Sequence, residues 1–278
     1  MDRLPLEALF AGNVPRMTAL VGAGGKSTLM YALAERLVAL GRRVVCTTTT
    51  KIFPPEDGVP LLLLETETPA ESLSGASLSA RFPERLVAVR EALRDGWCVV
   101  ADRLLPEVGK LAGLTPQVLA ALAQALPEVV FLVEADGAAR KPLKAPAPHE
   151  PVWPEAPDCC VAVVGLDSVG CPLDDAHVHR AVLACAVAGQ EPGTPVTPLT
   201  LARLVNASEG LFRGYPACRR LVFVNKADLP GASDTALKAA HAAGVHASVG
   251  WFAGSAAQGW CVPLAGKALG IVPFRDLP

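Results

Sequence analysis

Two kinds of apolar pattern alternate along the chain. Short uninterrupted runs rich in β-branched residues lie at 18–22, 43–48, 59–64, 98–101, 129–134, 160–165, 220–225 and 247–252, and they predict strands. Between them, apolar positions recur at helical spacing over 26–40, 81–95, 116–125, 178–188, 200–212 and 234–243. Strand–helix alternation is the order that parallel pairing produces, with helices covering both faces of the sheet. The expected fold is therefore α/β, a mostly parallel β-sheet in a three-layer sandwich, with residues 1–278 forming one domain. Gly41 is placed to close the first helix, which Ser27 and Thr28 open.

The stretch 140–157 breaks this rhythm. It carries six prolines, at 142, 146, 148, 151, 154 and 157, so it can be neither helix nor central strand. A linker between two domains is one reading. A rigid active-site loop is the other, and it fits better because the stretch leaves an apolar strand that finishes in acidic residues.

Composition narrows the class. Hydrophobic residues make up 51% of the 278 and charged residues 19%, the balance of a packed globular chain. Twenty-five basic against twenty-seven acidic residues leave a formal charge of −2, which argues against a nucleic-acid partner held by a strong global field. No charge-free apolar run reaches about 18 residues, so no membrane helix is expected. The opening Met1-Asp2-Arg3-Leu4-Pro5 lacks the basic-then-apolar order of a secretory signal, and a cytoplasmic location is expected. Eight cysteines are scattered without a Cys-x-x-Cys pair, and the adjacent Cys159 and Cys160 would point to opposite faces of a strand. They read as reduced structural thiols. His177 and His179 have ligand-like spacing but follow Asp174-Asp175 as the start of a helix, and are read that way.

Chemistry gathers at the strand ends. The first strand finishes in Gly22-Ala23-Gly24-Gly25-Lys26-Ser27-Thr28 and runs straight into a helix. Glycines there let backbone N–H groups close around an anion, and the helix dipole adds to the attraction. Lys26 would reach the terminal phosphates of a nucleotide, with the Ser27 hydroxyl on Mg²⁺. The loop is shorter than Gly-x-x-x-x-Gly-Lys-Ser/Thr, because the first glycine position is Leu20. A dinucleotide fingerprint fails at its third glycine, which is Ser27, and at the second strand, which ends in threonines instead of an acid.

That second strand runs into Thr47-Thr48-Thr49-Thr50-Lys51, and Thr49, Thr50 and Lys51 are the expected contacts to phosphate or substrate. The strand ending at Glu134 is followed by Asp136, two carboxylates one residue apart on the same face. They suit catalytic roles beside Lys26: Asp136, with Ser27, holding the metal, and Glu134 positioning water. Near the C-terminal end stands Asn225-Lys226-Ala227-Asp228, the Asn-Lys-x-Asp pattern that reads guanine in GTPases. An aspartate there accepts from N1–H and the 2-amino group of guanine, a donor pair adenine lacks. Asn225 bonds the base edge or braces the phosphate loop, Lys226 covers the ring, and Ser255 contacts the base from the next strand end. GTP is favoured over ATP as the bound nucleotide.

Taken together these segments resemble the YqeC-like family, described as accessory proteins of selenium-dependent hydroxylases or as selenium-cofactor biosynthesis proteins. The resemblance rests on 21–28, 47–52 and 133–137, on Pro142-Leu143-Lys144-Ala145-Pro146, His149-Glu150-Pro151 and Val178-His179-Arg180, and on 164–167 and 225–228. It spans nearly the whole chain. It implies a P-loop NTPase-like fold and a protein that helps mature molybdenum hydroxylases carrying a selenium-containing cofactor. It also makes Lys144 and His149 candidate substrate contacts. The implied partners are a nucleotide and a molybdenum hydroxylase or its cofactor, with a homodimer as a further candidate. Two other functions stay open: a small-molecule kinase or ligase, and a nucleotide-gated binding protein without turnover.

Overall fold

Uninterrupted apolar runs need cover on both faces, and the fold supplies it around one long sheet. The computed structural model describes residues 2–66, 83–244 and 249–264. The strands are β1 (Leu4–Pro5), β2 (Met17–Gly22), β3 (Val44–Thr48), β4 (Lys51–Ile52), β5 (Leu61–Leu63), β6 (Trp97–Ala101), β7 (Arg103–Leu105) and β8 (Lys110–Ala112). They continue with β9 (Val130–Glu134), β10 (Leu143–Lys144), β11 (Cys159–Gly165), β12 (Val178–His179), β13 (Arg219–Asn225), β14 (Val249–Ser255) and β15 (Trp260–Pro263). The helices are α1 (Lys26–Ala39), α2 (Pro83–Ala92), α3 (Pro116–Ala125), α4 (Ala181–Ala188), α5 (Pro198–Asn206) and α6 (Ala232–Ala242).

The large sheet has the order β1-β15-β14-β13-β11-β2-β9-β3-β6-β5. Every neighbouring pair from β14 to β5 is parallel, and β15 and then β1 add antiparallel pairs at one edge. Strand alternation divides the core into layers. Leu20, Cys46, Leu132, Val161, Val163 and Phe223 face α1, through Leu29, Met30, Leu33 and Leu37. Ala19, Val21, Cys160, Ala162, Val164 and Val222 face the opposite side, under α4, α5 and α6. Further along that side, Val45, Cys98, Val100, Phe131 and Val133 pack with α2 and α3. The chain is thus α/β, with a mostly parallel sheet and helices on both faces. No helix among the described residues is long and apolar enough to cross a membrane.

The predicted strands reappear within a few residues of their expected bounds, except that 247 and 248 lie outside the described residues. So do 81 and 82 of the predicted helix 81–95, which ends in a 3-10 turn at Leu93–Asp95. Gly41 does close α1: at φ 75° it sends its N–H to Val38 O, while Arg42 N–H bonds Leu37 O. Three helices begin elsewhere than expected, the last of them at Ala232 instead of 234. The stretch from 178 starts as β12, paired in parallel with β10, and turns into α4 only after Arg180 takes a left-handed conformation. The helix expected over 200–212 begins at Pro198, because Thr197 and Thr200 form a reciprocal capping box, and it ends by Asn206.

Sheet order positions the site. From β2 the chain crosses through α1 to β3 on one side, whereas from β11, the neighbour of β2, it crosses to β13 on the other. Connections that part in this way open a crevice at the carboxyl ends of the strands. A small antiparallel sheet, β4-β8-β7, stands over the same end on the β3 side.

Candidate functional site

The loop from Gly22 to Lys26 turns at the carboxyl end of β2, and its glycines are fixed by how closely it packs. Gly24 sits at φ 85°, where a Cβ would fall 2.4 Å from Gly165 N and 2.7 Å from Pro142 O. Gly25 sits at φ 118°, and its Cβ would lie 2.4 Å from the Asn225 side-chain nitrogen. No other residue accepts both the left-handed backbone and the contact. The loop is pinned by Ala23 N–H to Val163 O and Gly24 N–H to Lys141 O. Asn225 completes the brace, donating to Gly24 O at 2.8 Å and accepting from Ala256 N at 2.9 Å. Of the two roles open to Asn225, its carboxamide takes the bracing one.

A cleft of about 320 Å³ opens over this loop. Gly24, Gly25, Lys26, Ser27 and Thr28 form its floor, with Glu134, Lys51 and Lys226 around it. Ser27 Oγ donates to Glu134 Oε2 at 2.8 Å. Lys26 Nζ donates to Gly22 O at 2.7 Å and lies 3.2 Å from Asp136 and 3.6 Å from Glu134. Burial works to lower the Lys26 pKa, but the two carboxylates outweigh it and hold the ammonium above the ordinary lysine value. Both carboxylates therefore meet one lysine, as their spacing implied.

The two carboxylates have different surroundings. Asp136 is buried, accepts the Gly22 N–H at 3.0 Å and pairs with Lys26 and Lys144. Glu134 lines the cleft beside Ser27. An oxygen pair suited to a hard cation is thus Ser27 with Glu134, and Asp136 holds the two lysines in place.

Lys144 does not reach the cleft. It has no exposed surface, and its ammonium is shared among Gly137 O at 2.6 Å, Glu150 at 2.7 Å and Asp136 at 2.9 Å. Glu150 in turn binds Arg180 through both guanidinium nitrogens, at 2.5 and 3.0 Å. Burial raises the Glu150 carboxyl pKa, but Arg180 and Lys144 prevail and bring it down to about 2. Cations and anions alternate from Glu134 through Lys26, Asp136, Lys144 and Glu150 to Arg180. His149 is exposed and does not line the cleft.

The threonine run is structural except at its end. Thr48 Oγ1 and Thr49 N–H both bond Glu134 O, at 2.7 and 3.1 Å, and Thr49 Oγ1 donates to Val152 O at 2.6 Å. Thr50 N–H bonds Thr48 Oγ1 at 3.0 Å. Thr48 and Thr49 thus tie β9 and the proline-rich stretch to β3, Thr50 bonds back to Thr48, and of the run only Lys51 lines the cleft. In the base-reading segment, Lys226 lines the cleft with its ammonium 2.5 Å from Asp167. Asp228 is exposed in the turn after β13, and Ser255 is buried, accepting from Gln258 N.

Phe53 and Lys110 also line the cleft and belong to no motif identified in the sequence, and they are joined by Arg140 and Lys141 from the start of the stretch expected to form an active-site loop. They meet only because β4 pairs with β8 and because the proline-rich stretch folds back over the loop. All eight cysteines are free. Burial raises the thiol pKa of Cys98, Cys159 and Cys261 to about 12, which keeps them protonated. Cys159 and Cys160 pack into opposite layers, and among the described residues no three His, Cys, Asp or Glu side chains converge as metal ligands.

Comparison with known proteins identifies the family. The family model described as YqeC protein matches residues 18–182, which span the glycine-rich loop, the threonine run, both carboxylates, Lys144, Glu150 and Arg180. The chain is 35% identical over 219 residues to the uncharacterized protein YqeC of Escherichia coli (strain K12), an alignment covering 78% of each chain. A match over more than half the chain and this level of identity carry the same conclusion: the chain belongs to the YqeC family.

Proposed function

We propose that this protein binds and hydrolyses a nucleoside triphosphate, with GTP as the nucleotide, and that it serves maturation of selenium-dependent molybdenum hydroxylases. The supporting observation is the loop itself: a glycine turn with no room for a Cβ, opening a helix whose first residues, Lys26 and Ser27, meet Glu134 at the floor of a cleft. In this reading, backbone N–H groups and the α1 dipole take the phosphate oxygens. Lys26 exchanges its bonds to Gly22 O and the carboxylates for the terminal phosphates. Ser27 and Glu134 would hold Mg²⁺, which offsets charge on the phosphate oxygens. Glu134 also orients the attacking water. Asp228, free of the bracing that occupies Asn225, reads guanine. The hydroxylase pathway is what the family resemblance implies.

Calorimetric titration with GTP and ATP in the presence of Mg²⁺ tests the base. Asp228→Ala is expected to lower GTP affinity by about 1–3 kcal/mol and leave ATP unchanged, as befits loss of a hydrogen bond to guanine. Equal affinity for both nucleotides, indifferent to that substitution, rules guanine out. Turnover is followed as phosphate release, which Glu134→Gln is expected to slow by ~100-fold or more. A second reading, a small-molecule kinase or ligase, draws on one observation: Lys51, Lys110 and Arg140 line the same cleft as the loop.

A further inference from the structure

The cleft has more positive charge than one triphosphate site requires, and the excess lies on one side. Lys26 is matched by Asp136 and Glu134, Lys226 by Asp167, and Lys141 donates to Ala176 O. Lys51, Lys110 and Arg140 have no ion-pair partner among the described residues, and all three line the cleft. They come from three separate segments, 51, 110 and 140, and two of them, Lys110 and Arg140, meet the ring of Phe53. Arg140 lies 4.0 Å from the Phe53 centroid and Lys110 4.7 Å. Cation–π contact fixes both heads against Phe53, so this part of the wall is organised before an anion arrives. An anion bound there gains charge-assisted hydrogen bonds, with Arg140 able to grip two oxygens at once.

Sheet order says which end of a nucleotide this wall faces. The turn carrying Asp228 follows β13, two strands from β2 on one side, and the wall grows from β4, just beyond β3, two strands from β2 on the other. At roughly 4.8 Å per strand, the base reader and the wall stand about 10 Å to either side of the loop. A nucleotide with its base toward β13 therefore points its phosphate tail at Lys51, Lys110 and Arg140.

We infer that this wall is the binding site for a second substrate, a small molecule carrying at least two negative charges on phosphate or carboxylate groups, held beside the terminal phosphate of the nucleotide. The inference rests on the nucleotide reading above, and its test separates the two. Inorganic phosphate and malonate are titrated calorimetrically into the full-length protein saturated with Mg²⁺ and a non-hydrolysable GTP analogue, in wild type and in the double variant Lys110→Gln, Arg140→Gln. The expected result is binding of at least one anion alongside the analogue, weakened about tenfold or more in the variant while analogue affinity holds within about twofold. Preference between phosphate and malonate identifies the anionic group. Binding of neither anion overturns the inference, as does displacement of the analogue by the anion or parallel loss of the analogue in the variant, since the wall then belongs to the triphosphate site. If wild type fails to bind the analogue yet binds phosphate through Lys110 and Arg140, the wall stands and the nucleotide reading falls.

Discussion

Lys144 has no exposed surface, and its partners among the described residues are Asp136, Glu150 and the backbone carbonyl of Gly137. Removing one member of a buried ion pair strands the other, at a cost of several kcal/mol. Lys144→Met is expected to lower unfolding free energy by about 3–5 kcal/mol in a urea melt; a loss near zero would mean the network is dispensable. The same chain of charges sets an acid limb. The Glu150 carboxyl has a pKa of about 2 in the folded protein against an ordinary 4.5, so its stabilising contribution is present above 4.5 and fades as pH falls toward 2. Glu150→Gln should flatten the stability curve over that interval; an unchanged slope would assign the acid limb to other carboxylates. At this scale the sequence was readable for Lys26, which meets both expected carboxylates, whereas Ser27, expected beside Asp136, bonds Glu134 instead. Lys144 was a candidate substrate contact on the family resemblance, and nothing local revealed that Glu150 and Arg180 would close over it.

Elements were legible in proportion to their length and burial. The long parallel strands announced themselves by uninterrupted β-branched runs, because such runs are stable only when covered on both faces. The two- and three-residue strands β4, β7, β8, β10 and β12 have no periodicity to read, and the cationic wall depends on two of them. The loop after β2 was legible by its glycines, though not the reason for each. Gly24→Ala combines a left-handed backbone with a Cβ 2.4 Å from Gly165 N, whereas Gly109→Ala, at φ 61°, meets nothing within 4 Å. Denaturant midpoints should place Gly24→Ala about 1–3 kcal/mol below Gly109→Ala, the cost of overpacking alone. Equal losses would mean that β11 yields to the added methyl and that the loop is not held by that contact.

For the molecule as a whole, the layers govern what reagents can reach. Six cysteines are buried between sheet and helices, and only Cys171 and Cys218 are partly exposed. Alkylation of the native protein, mapped by mass spectrometry, should modify those two first and the six only on unfolding; early modification of Cys46 would contradict the layer assignment. The brace from Asn225 to Gly24 has a further consequence, for the order of events in folding. It joins residues 201 positions apart, and the Val163 and Gly165 contacts close the same loop from the opposite half of the chain. Contacts of such sequence separation form late and slowly, since a large loop must close before they return any stabilisation. During synthesis, then, residues 22–28 emerge well before β11 and β13 and wait for them before their backbone is fixed. The capacity to hold an anion should rise together with the last cooperative step of refolding, when the two halves of the sheet meet along β2.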